Sequence, residues 1–167
     1  MDFENQELII THATIDDAPI ILSLWKGSAE WLQSNNIKQW NPEAFSLEQV
    51  LKFVNDGSDV YLATIDNEIA GTYLITWQDP FIWKELDNSD AGYIHKFAVN
   101  RKFKGKGIGS KLLRSAEEQI RDKGKKYIRL DCMADNNRLN QYYRDAGYQF
   151  VRRLDSEGWS AHLYEKR

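Results

Sequence analysis

A chain of 167 residues suits one domain with one core, taken here as 1–167, and 42% hydrophobic and 28% charged residues are ordinary for a soluble globular protein. The net charge is −3, whereas general nucleic-acid binders carry a basic surplus, so no nucleic-acid partner is expected. A single cysteine, Cys132, excludes an internal disulfide and a multi-cysteine metal site, and it fits a reducing cytoplasm.

Residues 1–7 are acidic and lack an apolar core, so no secretory signal is read there. No apolar run approaches the roughly 20 residues of a membrane span, so no membrane partner is expected. Residues 8–13 read as a first strand. Thr14, with Asp17 three positions on, resembles a capping box, and Ile20, Ile21, Leu24, Trp25 and Leu32 follow helical spacing after it. Residues 35–42 break that pattern as a loop, and Ser46 caps a second helix carrying Leu47, Val50, Leu51 and Val54, ended by Asp56 and Gly57. The β-rich runs 60–65 and 69–77 flank a hairpin turn at 66–68. A loop at 78–90 leads to a strand at 93–99. Ile108, Leu112, Leu113, Ala116 and Ile120 then line one helix face up to Gly124. A strand at 127–133 precedes a short helix with Leu139, Tyr142 or Tyr143, and Ala146, closed by Gly147. Strands at 148–154 and 159–164 surround a turn at 155–158. The order β-α-α-β-β-β-α-β-α-β-β is an α+β arrangement on a mixed sheet. The unit 93–133 places its two strands parallel through a right-handed crossover. Six tryptophans fit either a Trp-rich core or a large apolar cleft.

The chemistry starts at 100–111. Arg101, Lys102, Lys104, Lys106 and Lys111 gather there without an acid, and Gly105, Gly107 and Gly109 alternate among them. Glycines let backbone N–H groups face a ligand without a Cβ in the way. A helix begins in the same run, and its N-terminus adds unpaired N–H groups and the positive dipole end. Such a site suits phosphates. The ATP-type pattern fails because Ser110 stands where its second glycine belongs, and Ser110 likewise ends the dinucleotide pattern.

The strand residues Ile94, His95, Lys96, Phe97, Ala98 and Val99, the run Lys104, Gly105, Lys106, Gly107, Ile108, Gly109 and Ser110, and the pair Leu112 and Leu113 together resemble the coenzyme A signature of the GNAT N-acetyltransferase superfamily. Lys104 stands where that signature has Arg or Gln, which keeps the charge and loses a planar group. A second block is similar to the same family: Asn136, Leu139 in place of the usual Ala, Tyr143, and the closing pair Gly147 and Tyr148. The two blocks span roughly 93–151 in the family's order and spacing.

The resemblance implies a mixed central sheet flanked by helices, with the parallel strands splayed to admit acetyl-CoA. It assigns coenzyme A binding to Phe97, Ala98, Val99, Lys104, Gly105, Lys106, Gly107, Ile108, Gly109, Ser110, Asn136 and Tyr143. Backbone groups of Phe97 and Val99 would pair with the pantetheine arm like an added strand. A backbone N–H near 97–99 would polarise the thioester carbonyl. Tyr143 is expected to protonate the leaving thiolate, a phenol near pKa 10 facing a thiol near 8.5. Tyr142 sits one position off the family spacing.

An acceptor amine of pKa about 10 must lose a proton before it attacks. His95, on the face shared with Tyr93 by strand alternation, is the candidate base. Asp131 reads as a structural or substrate-orienting carboxylate, and Cys132 as a small core residue. The other histidines, His12 and His162, are distant in sequence.

For the acceptor, the resemblance points to Trp31, Gln39, Trp40, Trp77, Phe81 and Trp83, with Tyr93 and Asp131 facing the substrate and Glu30 or Asp79 holding a cationic amine. A small amine with an apolar or aromatic body is expected, with no metal. A homodimer is compatible with these expectations. An acyl-CoA-binding sensor without turnover, an acetyltransferase of protein or peptide amines, and a nucleotide-binding partner protein stay open.

Overall fold

The computed structural model describes residues 7–34 (backbone alone for 31–34), 45–56, 58–103 and 105–167. The chain divides into two compact units, 1–75 with 95–119 and 76–94 with 120–167.

In the first unit, β1 (Ile9–His12) pairs antiparallel with β2 (Asp59–Ile65), and β2 with β3 (Glu68–Thr76). Asp66 and Asn67 both take positive φ, 50° and 64°, which makes a two-residue turn. Glu68, expected in that turn, instead pairs with Ile65. Asp and Asn tolerate this backbone region better than other non-glycine residues.

The Thr14 N–H donates to the Asp17 carboxylate at 2.8 Å, as the capping pattern expects. A 3-10 turn, Ile15–Asp17, follows before α1 (Ala18–Ser34) begins. α1 buries Ala18, Ile21, Trp25 and Ala29 and leaves Ile20 exposed. The inward face is thus rotated from the expected stripe, because Ala18 and Ala29 let the helix close on its neighbours where periodicity of large residues gives no signal. In α2 (Leu47–Asn55) the Ser46 hydroxyl accepts the Gln49 N–H at 3.2 Å, and Val50 joins Phe45, Val60, Leu62 and Leu74 in the same core.

β4 (Ala91–Val99) and α4 (Ile108–Asp122) each contribute residues to both units. In the second unit β4 starts parallel to β5 (Tyr127–Met133), from Ala91↔Tyr127 to Tyr93↔Arg129. That ladder ends there, although β5 continues to Met133 and β4 to Val99. The other edge of β5 takes β7 (Trp159–Lys166), which pairs with β6 (Gln149–Ser156). The seven-stranded mixed sheet has the order β1-β2-β3-β4-β5-β7-β6, with helices in an α+β arrangement.

The segment 78–90, expected as a loop, contains α3 (Pro80–Trp83) and a 3-10 turn, Lys84–Leu86. One short turn carries no periodicity. Its signal is local: Asp79 caps it, accepting the Ile82 N–H at 3.3 Å, and Pro80 follows at the first helical position. The helix α5 (Asn137–Asp145) matches the expected short helix. Among the described residues, no helix is long and apolar enough to cross a membrane.

Candidate functional site

The first unit holds the basic glycine run. The chain leaves β4 at Asn100, whose N–H donates to Ala70 O at 2.7 Å and whose Nδ2 donates to Ile69 O at 2.8 Å. Its Oδ1 accepts the Lys102 N–H and so starts the 3-10 turn Arg101–Phe103. Phe103 is buried and pins that turn. Gly105 and Gly107 both take φ +76°, with nothing within 4 Å of where a Cβ would stand. The Lys111 N–H donates to Gly107 O at 3.3 Å, so α4 is entered at Gly107. No acidic residue stands in the first turn of α4, and Ile108 and Leu112 anchor it in the core.

The run therefore combines open backbone, a helix start and exposed Lys106, which is the chemistry of an anion cradle. Gly109 is half-buried and Ser110 exposed beside it. Lys102, counted with this cradle from sequence, instead reaches both Glu68 carboxylate oxygens at 2.8 Å. Lys104 lies outside the described residues.

Ahead of the cradle, β4 carries a feature without a sequence signal. Lys96 takes φ +52°, left-handed backbone in mid-strand. Such a residue breaks strand alternation and re-aims the backbone that follows it, here Phe97, Ala98 and Val99. The Lys96 ammonium stands 5.1 Å from the Phe45 ring and 5.8 Å from Trp25, close enough for cation–π attraction. A Cβ on Gly71 would come within 2.7 Å of Ala98 O and 2.8 Å of Leu112 Cδ2. Only glycine lets β3 approach that segment so closely. His95 is half-buried, as are Phe97 and Val99.

The second unit holds the block around Tyr143. Tyr143 is 6% exposed, ringed by Tyr142 at 5.6 Å, Tyr148 at 5.9 Å and Tyr164 at 6.2 Å. Burial pushes its hydroxyl well above the ordinary phenol range, and Cys132, Tyr142 and Asp131 add to the rise. The proton is thus present at any working pH, and its release is correspondingly uphill. Asn136 caps α5, its side chain accepting the Leu139 N–H at 3.1 Å. Asn140, which the family pattern passes over, is buried among polar partners. The Cys132 thiol is buried and raised to about 12, chiefly by burial and then by Asp131, which matches a core role over a nucleophilic one.

Two carboxylates of this unit, Asp79 and Asp131, bring oxygens within 4.8 Å of one another. A pair at that spacing can share a cation such as an ammonium. Tyr93 is fully buried, and its hydroxyl accepts from Arg129 Nη1 at 2.9 Å and the Asn88 N–H at 3.0 Å. Burial raises its pKa, which the bonds from Asn88 and Arg129 oppose. The Arg129 guanidinium also lies 4.3 Å over Trp83 and donates to Glu165 at 2.8 Å. Trp83 thus closes the core of this unit and is unavailable to an acceptor. Trp77 is half-buried beneath the Lys125 ammonium at 5.9 Å, and Phe81 is exposed. The Trp31 side chain, Gln39 and Trp40 lie outside the described residues.

The model of the acetyltransferase (GNAT) family matches residues 25–148. The chain belongs to this family. It is 32% identical over 161 residues to the uncharacterized N-acetyltransferase YesJ of Bacillus subtilis, with 92% of this chain and 87% of YesJ covered. The solved structure of a GNAT-family acetyltransferase from Listeria monocytogenes is similar at TM-score 0.80 and 27% identity, covering 98% of this chain and 96% of that one. YncA of Salmonella typhimurium, solved with its cofactor acetyl-CoA, shares the fold at TM-score 0.72 and 15% identity, covering 96% and 94%. The enzyme class expected from the sequence, an acetyl-CoA-dependent N-acyltransferase, is that of the family.

Proposed function

We propose that the protein transfers an acetyl group from acetyl-CoA directly to the primary amine of a small molecule with an apolar or aromatic body. The observation that carries this reading is the cradle: Gly105 and Gly107 at φ +76°, opening onto an acid-free helix start. Its glycines leave room for a pyrophosphate, and its backbone N–H groups would hold it, with Lys106 adding charge. Acetyl-CoA, when bound, supplies an acyl group activated as a thioester.

The chain's own groups do the rest. Backbone of Phe97, Ala98 and Val99, re-aimed after Lys96, lines the pantetheine and offers an N–H to the carbonyl oxygen. Tyr143 holds the proton destined for the departing sulfur, and Asn136 sets the start of the helix that carries it. His95 takes the proton that the attacking amine sheds. Asp79 and Asp131 orient the acceptor's cationic form, and Trp31, Trp40 and Trp77 receive its apolar body.

A second reading, an acyl-CoA-binding module without turnover, draws support from the burial that makes Tyr143 a reluctant proton donor. An amine panel assayed for acetyl-CoA-dependent thiol release separates the two. Turnover of small aromatic or apolar amines is expected. Binding of acetyl-CoA without turnover of any amine, or turnover confined to long protein substrates, overturns the small-amine reading. Thermal shift by acetyl-CoA, and not by ATP or NAD, is expected alongside.

A further inference from the structure

We infer that Asn140 is a positioning residue that fixes Tyr143 for proton transfer, an inference that rests on the acyl-transfer reading above. Asn140 precedes Tyr143 by three residues, so both lie on one face of α5. Asn140 is 3% exposed, and both polar atoms of its side chain are engaged. The Nδ2 donates to Asn136 O at 2.8 Å and to Met133 O at 3.0 Å. Carbonyls only accept, so these partners set the amide's orientation and leave Oδ1 facing the other way. There it accepts the Tyr164 hydroxyl at 2.5 Å and His162 Nδ1 at 2.8 Å.

One side chain thus ties α5 to the end of β5 and to two residues of β7, and the Tyr164 ring it holds packs 6.2 Å from Tyr143. Asn suits the position because it offers donors and an acceptor on one short planar group. An Asp carboxylate would turn lone pairs toward the Met133 and Asn136 carbonyls. A Leu would leave the buried Tyr164 hydroxyl without its acceptor. A proton transfer is sensitive to placement, with roughly a hundredfold loss for a misplacement near 1 Å.

The test is a double-mutant cycle between Asn140→Asp and Tyr143→Phe. The readout is thiol release from acetyl-CoA with, as acceptor, the amine of the panel that the wild-type enzyme turns over fastest. Asn140→Asp is expected to lower kcat about ten- to a hundredfold with the KM for acetyl-CoA within about twofold. The same substitution in the Tyr143→Phe background is expected to leave kcat unchanged, since no proton donor remains to be positioned. Should Asn140→Asp fail to fold, Tyr164→Phe keeps the ring and removes one hydroxyl, and the same cycle is run with it for a drop of a few-fold. An equal loss of kcat in both backgrounds overturns the inference and leaves the acyl-transfer reading standing. A wild-type chain with no thiol release above background for any amine of the panel, or a Tyr143→Phe enzyme with full kcat, overturns the inference together with the reading beneath it.

Discussion

The cradle at 105–111 and the block at 136–148 both follow from motif spacing, yet they work by opposite means. Along the cradle Gly105, Lys106, Gly107 and Ser110 are exposed, and Ile108 alone is buried. In the proposed function it acts through N–H groups and through φ values that glycine permits. In the block the side chains act: Tyr143, Asn136 and Asn140 are all buried, and each has defined neighbours. The cradle should therefore tolerate loss of side chains and resist gain of a Cβ, while the block should do the reverse.

The largest expected effect tests the block. Tyr143→Phe should lower kcat with acetyl-CoA about a hundredfold, in line with loss of one general acid, measured by thiol release at saturating substrate. Full kcat at every pH would place Tyr143 among core residues instead. Next comes the cradle. Gly107→Val should weaken acetyl-CoA binding about tenfold by calorimetry, because a β-branched residue strains φ +76°. Lys106→Ala should cost about two- to threefold, as expected for an exposed charge. The reverse order would show that side chains, and not backbone, carry the cradle.

A smaller effect is expected on stability alone. Gly71→Ala should lower stability by about 1–3 kcal/mol, since the new methyl meets the Ala98 carbonyl and Leu112. A melting temperature equal to wild type would mean that β3 yields freely there. The smallest effect concerns His162. Its pKa is lowered by burial first, then by Arg153 and Arg144, with Asp155 opposing. The unfolded chain, near 6.5, binds this proton more readily than the folded one. The stability contribution is therefore complete above about pH 6.5 and is lost as pH falls through the lower folded value. Melting from pH 7.5 to 5 should fall more steeply for wild type than for His162→Gln, and parallel curves would remove His162 from the account.

Legibility followed the range of the physics involved. Elements with long periodic stripes or strong caps were readable: Ser46 caps α2 as expected, and β5 keeps its expected bounds. The turn α3 was too short to repeat, although Asp79 and Pro80 announce it locally. Lys96 at φ +52° and Gly71 against Ala98 had no local signal, since each answers to a strand or helix distant in sequence. Asn140 was passed over because its partners His162 and Tyr164 lie 22 and 24 residues away. The resemblance pointed to Trp83 as pocket lining, and only Arg129 stacked on it and its complete burial place it in the core.

By itself the sequence determined the family and, α3 apart, the order of strands and helices, because motif spacing, caps and hydrophobic period act over a few residues of chain. Tertiary structure alone decided which face of α1 turns inward, where β4 departs from regular strand, and which polar side chain holds α5. Those depend on packing and on hydrogen bonds between segments far apart in sequence, and no short window of residues contains them.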